Sequence, residues 1–339
     1  MKQEQIDSLL KLGGFPDQCS DSVLIETHIS WVILCEKYVF KIKKPVHYTF
    51  LDFSTLEKRN YYCKREVTLN RRLVDGIYIG VLPIIKKGSR FIISSSLEGK
   101  IIDYAVMMHR MDADLRMDKL LNKQAVTKDH MEAIAEVLLK FHNHAHIAYS
   151  LNPFNIQHTF NDILAQQPYL KKAIGKGVAD KIENAVKISD NFIQYHLLTF
   201  KRRSDLKFVR DVHGDLHSKN IFLTDPPTIF DCIEFNDEIR QVDILNELAF
   251  LCMDLEAMDH LDLSTYFMNY YNSKFKVILT KEDTDVFIYY KANRANIRAK
   301  VNALRARDST GRDQKKALSQ CKKYIELMDG YLEKLVSQF

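Results

Sequence analysis

No run of about 18 apolar residues occurs anywhere in the chain, so the sequence offers no helix able to span a membrane. The first residues, MKQEQIDSLLKL, read as an amphipathic turn or two of helix. They lack the apolar centre of a secretory signal. Six cysteines stand at 19, 35, 63, 232, 252 and 321, and no two form a C-x-x-C pair. That leaves neither a zinc knuckle nor a dithiol redox motif to read. An even count permits disulfides, but a large lysine-rich chain without a signal points to the reducing cytoplasm. Repeats and low-complexity linkers are absent too, as is the G-x-x-x-x-G-K-S/T phosphate loop.

What is present suits a globular protein. The 339 residues are 46% apolar and 27% charged, enough for one large domain or two lobes sharing a cleft. The net charge is a mild +5, unevenly placed. Residues 291–323 hold eleven Lys or Arg and two acids, a local +9, so the rest of the chain carries 5 − 9 = −4. The electrostatic field therefore concentrates near the C-terminus. This basic stretch has few interleaved aromatics for base stacking, which argues against nucleic acid as the partner.

The first hundred residues are β-rich. Val23–Glu26, Ser30–Cys35 and Tyr38–Lys43 read as short strands, with Glu36-Lys37 as a tight turn. Ser54 with Glu57 three residues later forms a capping-box pattern, which predicts a helix starting near Thr55. Strands are expected again at Tyr78–Ile85, Arg90–Ser95 and Ile101–Met108. After Met111 the pattern turns helical: Met131, Ile134, Ala135, Leu138, Phe141 and His142 make one apolar helix face. Residues 158–200 also read as helices, broken at Pro168 and Gly175, and Val242–Leu335 is helical throughout. A β-rich patch at 209–235 interrupts them. The expected fold class is α+β: a small sheet-plus-helix lobe over 1–111, then a larger helical lobe over 112–339.

The chemistry sits in VRDVHGDLHSKNIFLTDPPTIFDCIEF, residues 209–235. It packs His213, Asp215, His217, Asn220, Asp231 and Glu234 into 22 positions. Strand-like residues 221–223 and 228–230 flank the proline pair Pro226-Pro227, which fits a hairpin turn. Such a hairpin brings Asn220 and Asp231 together beside the loop carrying Asp215. Phosphoryl transfer needs that set, a carboxylate to take the proton of the attacking hydroxyl and hard oxygen ligands for magnesium.

H-G-D-L-H-x-x-N, followed eleven residues later by a strand-borne aspartate, resembles the aminoglycoside phosphotransferase family, relatives of the protein kinases. KIKKPV, LDFSTLEKR and FDCIEFN are similar to a bacterial subgroup of that family, some members of which are fused to a P-loop ATP-binding domain. The resemblance covers about residues 20–300. It implies a bilobal protein-kinase-like fold, ATP and Mg²⁺ as cofactors, Asp215 as catalytic base in a loop at 213–220, and Asn220 and Asp231 as metal ligands, the latter on a strand at 228–234. It also implies that Lys41, at the end of the strand Tyr38-Val39-Phe40-Lys41, contacts the phosphates, and that Glu66 in KREVTLNRRL holds it. Lys43, two positions on and so on the same strand face, competes for the lysine role. The family's glycine-rich loop is missing, because no glycine occurs between Gly14 and Gly76. Thr27-His28-Ile29-Ser30 occupies the turn where that loop would sit, which makes His28 and Ser30 candidate nucleotide contacts. Met107, Met108 and Met111 fall at the family's hinge between lobes.

Plainer readings stand beside these. His213 braces its loop, and His142 is a core or cap residue. His213, Asp215 and His217 as a hydrolase metal cluster would leave Asn220 and Asp231 without work. Glu234 is either a third acid near the metal or a solvated strand end. Asp243, Glu247 and Asp254 line one side of a helix, and Arg294, Arg298 and Arg305 one side of a later helix. Either the two stripes pair, or the basic stripe faces the cleft and holds an anionic acceptor. The expected activity is ATP- and Mg²⁺-dependent transfer of a phosphoryl group to a hydroxyl of a small molecule, neutral or anionic rather than polycationic. A nucleotide-binding regulator without turnover and a nucleotidyl transferase on the same fold are the alternatives.

Overall fold

A computed structural model describes residues 1–48, 51–95, 98–148 and 152–336. Contacts group them into two compact units, Met1–Arg116 with Asn220–Ile239, and Met117–Lys219 with Arg240–Phe339.

The first unit begins with helix α1 (Gln3–Leu12), then strands β1 (Val23–Glu26), β2 (Ser30–Leu34) and β3 (Tyr38–Lys43). A small antiparallel pair follows, β4 (His47–Tyr48) and β5 (Leu51–Asp52), then helix α2 (Leu56–Asn70) and strands β6 (Tyr78–Lys87), β7 (Arg90–Ile93) and β8 (Lys100–His109). Six strands form one antiparallel sheet in the order β1-β2-β3-β8-β6-β7. The strand ends differ from the sequence expectation by two residues at most. The chain reverses between β1 and β2 by a turn in which the Thr27 N–H donates to Ser30 O and the Ser30 N–H to Thr27 Oγ1, each at 2.9 Å.

The two faces of this sheet bury different things, as the period of two requires. Phe40 and Ile42 of β3 join Trp31, Ile33, Ile84 and Met107 in a core that includes Ile6 and Leu9 of α1. Val39 and Met108 belong to the opposite cluster, with Cys63 and Val67 of α2. Lys41 and Lys43 share the parity of Val39, so they face α2. Each fully buried apolar side chain contributes about 1.5–3 kcal/mol, which fixes the strand faces firmly.

The start of α2 differs from expectation in one residue. Its cap is Thr55, whose Oγ1 accepts from the Lys58 N–H at 3.3 Å, and not Ser54. Ser54 is engaged elsewhere, donating its hydroxyl to Asp52 Oδ1 at 2.6 Å. Cys19 and Cys35 form a disulfide with their Cα atoms 4.9 Å apart, where the reading of a reducing compartment led us to expect thiols. The loop after α1 returns to the end of β2, which places them side by side. Cys63, Cys232, Cys252 and Cys321 are buried thiols.

The second unit is mainly helical: α3 (Met117–Asn122), α4 (Lys128–His144), α5 (Pro153–Asn161), α6 (Gln167–Ala173), α7 (Lys176–Tyr195) and α8 (Leu197–Asp205), then the short strand β9 (Val209–Asp211). The chain then returns to the first unit for β10 (Ile221–Phe222), β11 (Thr228–Ile229) and most of the helical turn α9 (Asp237–Arg240). It ends with β12 (Gln241–Asp243), α10 (Ile244–Ala257), α11 (Leu261–Lys274), α12 (Lys281–Asp308) and α13 (Gly311–Val336). β12 pairs with β9, and β10 pairs with β11 in the expected hairpin, but β11 ends at Ile229 rather than continuing over 228–234, so Asp231 follows the strand, its φ of 65° breaking the extended chain. Among the described residues, no helix is long and apolar enough to cross a membrane.

Candidate active site

The first unit gathers three of the predicted residues into direct contact. Nζ of Lys41 lies 2.9 Å from Glu66 Oε1 and 2.5 Å from Asp231 Oδ1. Nζ of Lys43 lies 2.7 Å from Glu66 Oε2 and also binds Glu234 Oε1. Both lysines therefore share Glu66. Glu234 is buried on Lys43, which excludes a solvated strand end.

Charge accounts for the titration of this cluster. Burial disfavours the Lys41 ammonium, but Asp231 and Glu66 beside it raise its pKa well above the ordinary lysine value. Burial likewise opposes ionisation of Glu66, yet Lys41 and Lys43 hold it down to about 2. Three carboxylates face two ammonium groups. Burial, together with the neighbouring Glu66 charge, pushes Glu234 upward despite Lys43.

Asp231 is the exposed member, its side chain 40% accessible. Its φ of 65° lies in the left-handed region, a conformation that costs a non-glycine residue roughly 1–3 kcal/mol. Hydrogen bonds keep it there. The Asp231 N–H donates to Tyr78 Oη at 3.2 Å, and the Cys232 N–H donates to Asn70 Oδ1 at 2.9 Å. Across the hairpin the Phe230 N–H donates to Asn220 O at 3.1 Å, so Asn220 and Asp231 stand at the same end of the β10–β11 pair. One amide oxygen and one carboxylate on a single hairpin end are a donor set that fits Mg²⁺.

Ser30 lies opposite Lys43 in the β2–β3 register, and its Oγ is buried without a hydrogen-bond partner among the described residues. His28, at the tip of the β1–β2 turn, is exposed.

The second unit holds the His213–Lys219 loop. Gly214 has a φ of 86°, which only glycine adopts without strain, and this turn presents Asp215 with a side chain 35% exposed. Glu247 of α10 anchors the loop from beneath. Its Oε2 accepts from the Gly214 N–H at 2.7 Å and its Oε1 from the His213 N–H at 3.1 Å. His142 Nε2 lies 3.0 Å from Glu247 Oε1, and its Nδ1 lies 2.7 Å from the Tyr271 hydroxyl. With the proton on Nε2, every polar atom of this buried ring is satisfied. Burial opposes ionisation of Glu247, but His142 and the backbone donors lower its pKa.

Further bonds fix the rest of the loop. Arg294 of α12 donates from Nη1 to Gly214 O at 3.1 Å and from Nε to Asn246 Oδ1 at 2.7 Å. Ser218 donates its N–H and its hydroxyl to Asp254 Oδ2. The Lys219 N–H donates to His217 Nδ1 at 3.2 Å, which leaves the His217 Nε2 proton facing Asp215 Oδ2 at 3.4 Å. Burial would raise the Asp215 pKa, but His217, Arg298 and His213 hold the carboxyl well below the usual range. It is a carboxylate at neutral pH, able to accept a proton only as one is released to it.

The two charged stripes form no direct ion pair among the described residues, though the charge of Glu247 acts on Arg294 and that of Asp254 on Arg298. Asp243 caps α10 and binds Arg203 of α8 through both oxygens, at 2.5 and 2.9 Å. Glu247 and Asp254 serve the loop, as does Arg294. Sequence reasoning thus missed the task of Glu247, and it left Lys43 and Glu234 undecided. The signals were present: two lysines of like parity on β3, and an acid three residues after Asp231. Among the described residues, no group of three or more His, Cys, Asp or Glu is arranged to hold a metal by itself.

Solved structures align with the chain over nearly its whole length. A spectinomycin phosphotransferase in complex with ADP and spectinomycin superposes with a TM-score of 0.54 at 13% identity, covering 98% of each chain. A GDP complex of an aminoglycoside 2'-phosphotransferase gives 0.56 at 14%, again over 98% of each. This chain has the kinase-like fold of the aminoglycoside phosphotransferases. A choline kinase from Cryptosporidium parvum shares that kinase-like fold, with a TM-score of 0.54 at 12% identity over 94% of this chain and 90% of that one. By name these neighbours are small-molecule kinases, and two of them hold ADP or GDP. In sequence, the uncharacterized proteins Rv2004c of Mycobacterium tuberculosis and Mb2027c of Mycobacterium bovis are each 32% identical over 286 residues. The match takes in 83% of this chain and 54% of theirs, so the chain spans about half the length of the curated relatives it matches. No family model matches the chain.

Proposed function

We propose that this kinase-like chain is a phosphotransferase that moves the γ-phosphoryl group of ATP to a hydroxyl of a small molecule. The ion triad Lys41–Glu66–Asp231 carries the reading. It joins a strand lysine, a helix glutamate and a hairpin aspartate, the three groups that nucleotide phosphates and a divalent cation require. Asn220 and Asp231 would hold Mg²⁺, which when bound neutralises charge on the phosphate oxygens. Lys41, fixed by Glu66, contacts the phosphates. Ser30, whose buried hydroxyl has no partner among the described residues, and His28, in the exposed turn, are the candidate contacts on the β1–β2 side.

Asp215 is the base. Its carboxylate takes the proton of the acceptor hydroxyl as that oxygen bonds to the γ-phosphorus. The bond from phosphorus to the β-phosphate oxygen breaks, and ADP departs. Glu247 and Arg294 position this base by holding the backbone of residues 213–214. The local +9 of residues 291–323 favours a neutral or anionic acceptor over a polycation. The test is incubation of the full chain with labelled ATP or GTP, Mg²⁺ and a metabolite extract, read by mass spectrometry. A product heavier by one phosphate supports the proposal. A product heavier by AMP would make it a nucleotidyl transferase, and nucleotide binding with no product a regulator.

A further inference from the structure

Glu66 divides its two oxygens between two ammonium groups, and only one of them is near solvent. The Lys41 side chain is 14% exposed and that of Lys43 is 1%. Lys43 is enclosed by Glu66, by Glu234 and by the ring of Phe53, whose centroid lies 4.8 Å from Nζ. So enclosed, it cannot reach a ligand. It does join three pieces of chain: β3, which carries Lys41; α2, which carries Glu66; and the segment that runs from Asp231 to Glu234.

The Lys41–Asp231 contact occupies both groups that the phosphotransferase reading assigns to nucleotide and metal. For phosphate to take Lys41 and a cation to take Asp231, that ion pair must open. With one lysine alone, drawing Lys41 toward phosphate would leave Glu66 buried beside a departing charge, which is costly. Here Glu66 keeps Lys43 on its second oxygen throughout. Lys43 in turn keeps Glu234, so the backbone that carries Asp231 stays against β3.

We propose that Lys43 and Glu234 form a buried positioning pair: they hold Glu66 and the Asp231 segment in place, so that Lys41 and Asp231 can exchange each other for nucleotide phosphate and a divalent cation. The proposal rests on the phosphotransferase reading of the same site. One opening of the Lys41–Asp231 pair serves both ligands, so cation and nucleotide should each tighten the binding of the other, and the size of that coupling should depend on Lys43.

The experiment measures ATP binding to the full chain by calorimetry at a series of Mg²⁺ concentrations, with thermal melting alongside. The main variant is Lys43→Met with Glu234→Met, which removes both charges at similar volume; neutral replacement of a whole buried pair is generally tolerated. We expect it to melt near the parent while its affinity for ATP at saturating Mg²⁺ falls roughly 10- to 100-fold, the usual range for groups that orient a ligating residue. The enhancement of ATP binding by Mg²⁺ should shrink with it. A purely structural pair would leave that enhancement unchanged, so a folded double variant with parental affinity and coupling overturns the proposal. Should the double variant not fold, Glu234→Gln, which keeps the side-chain shape and the Lys43–Glu66 contact, is expected to weaken Mg²⁺ coupling severalfold, and parental coupling there also overturns it. A parent that binds no nucleotide overturns this proposal and the phosphotransferase reading together. A parent that binds with strong coupling but transfers nothing overturns only the latter.

Discussion

Nζ of Lys41 sits 2.5 Å from Oδ1 of Asp231, so the β3 lysine is bonded directly to the carboxylate that follows β11. Asp231 is partly exposed, and opening this contact leaves Lys41 with Glu66 and Asp231 with water. Lys41→Met should therefore weaken ATP binding about tenfold or more at a smaller cost in stability, since Glu66 keeps Lys43 and Asp231 is 40% exposed to water. Glu66→Met should do both. It takes one of two carboxylates from buried Lys43, which keeps Glu234, and losing a hydrogen bond to a buried charged group costs about 1.5–3 kcal/mol. Calorimetry with ATP and thermal melting separate the two effects; equal melting losses in both variants would contradict the division of labour.

Asp215→Asn should abolish transfer and leave nucleotide binding near the parental value, because the proposed base would touch the acceptor hydroxyl and not the nucleotide. Loss of a positioned general base costs roughly 10²- to 10⁴-fold. Parental turnover in this variant would remove Asp215 from the mechanism.

Glu247→Gln should slow transfer and lower stability. A carboxylate accepts from the His213 N–H, the Gly214 N–H and His142 at once. The amide that replaces it turns one acceptor into a donor, facing a backbone N–H or the imidazole. A buried donor left so costs about 1–3 kcal/mol. The measurement is turnover beside urea unfolding of parent and variant, and unchanged values for both would mean that the loop holds its shape without this anchor.

Acid should destabilise the protein in part through Glu66. Its carboxyl is lowered from an ordinary 4.5 to about 2 by Lys41 and Lys43, against the opposing effect of burial. A depressed acid stabilises the fold fully above its unfolded pKa. As pH falls from about 4.5 toward 2 the unfolded chain takes up a proton that the folded chain refuses, and the contribution is lost. Melting temperatures between pH 5 and pH 2 should fall more steeply for the parent than for Glu66→Gln. Parallel slopes would show that Glu66 is not held ionised.

Arg203→Lys should destabilise strongly although charge is conserved. The guanidinium binds both oxygens of Asp243, the Val277 carbonyl and Asp283 Oδ1 at once, all of them buried. An ammonium cannot span four acceptors in that planar fork. The expected loss is about 3–5 kcal/mol, seen as a lower urea midpoint. A midpoint equal to the parent's would mean the network tolerates a point charge.

The strand positions, the hairpin around Pro226-Pro227 and the hydrogen-bonding ends at Asn220 and Asp231 were readable from the chain, because they depend on local alternation and turn chemistry. So was the shared face of Lys41 and Lys43, since parity along a strand is a property of the backbone. Which hydroxyl caps α2 was not readable. Ser54 and Thr55 are both competent, and the choice fell to Asp52, which takes the Ser54 hydroxyl.

The sequence by itself determined the order of elements and the identity of the acids in the 213–231 stretch, since spacing and residue type survive any packing, and its resemblance to the aminoglycoside phosphotransferases carried the kinase-like class. Only the tertiary structure decided the partners. It gave Glu66 to both lysines, Glu234 to Lys43, Asp243 to Arg203 rather than to the α12 arginines, and Cys19 to Cys35. The physical reason is range. Helix and strand patterns arise between residues a few positions apart, whereas a buried charge must find its counter-charge wherever the folded chain brings one, here 23, 191 and 40 positions away for the three ion pairs that fix Glu66, Glu234 and Asp243.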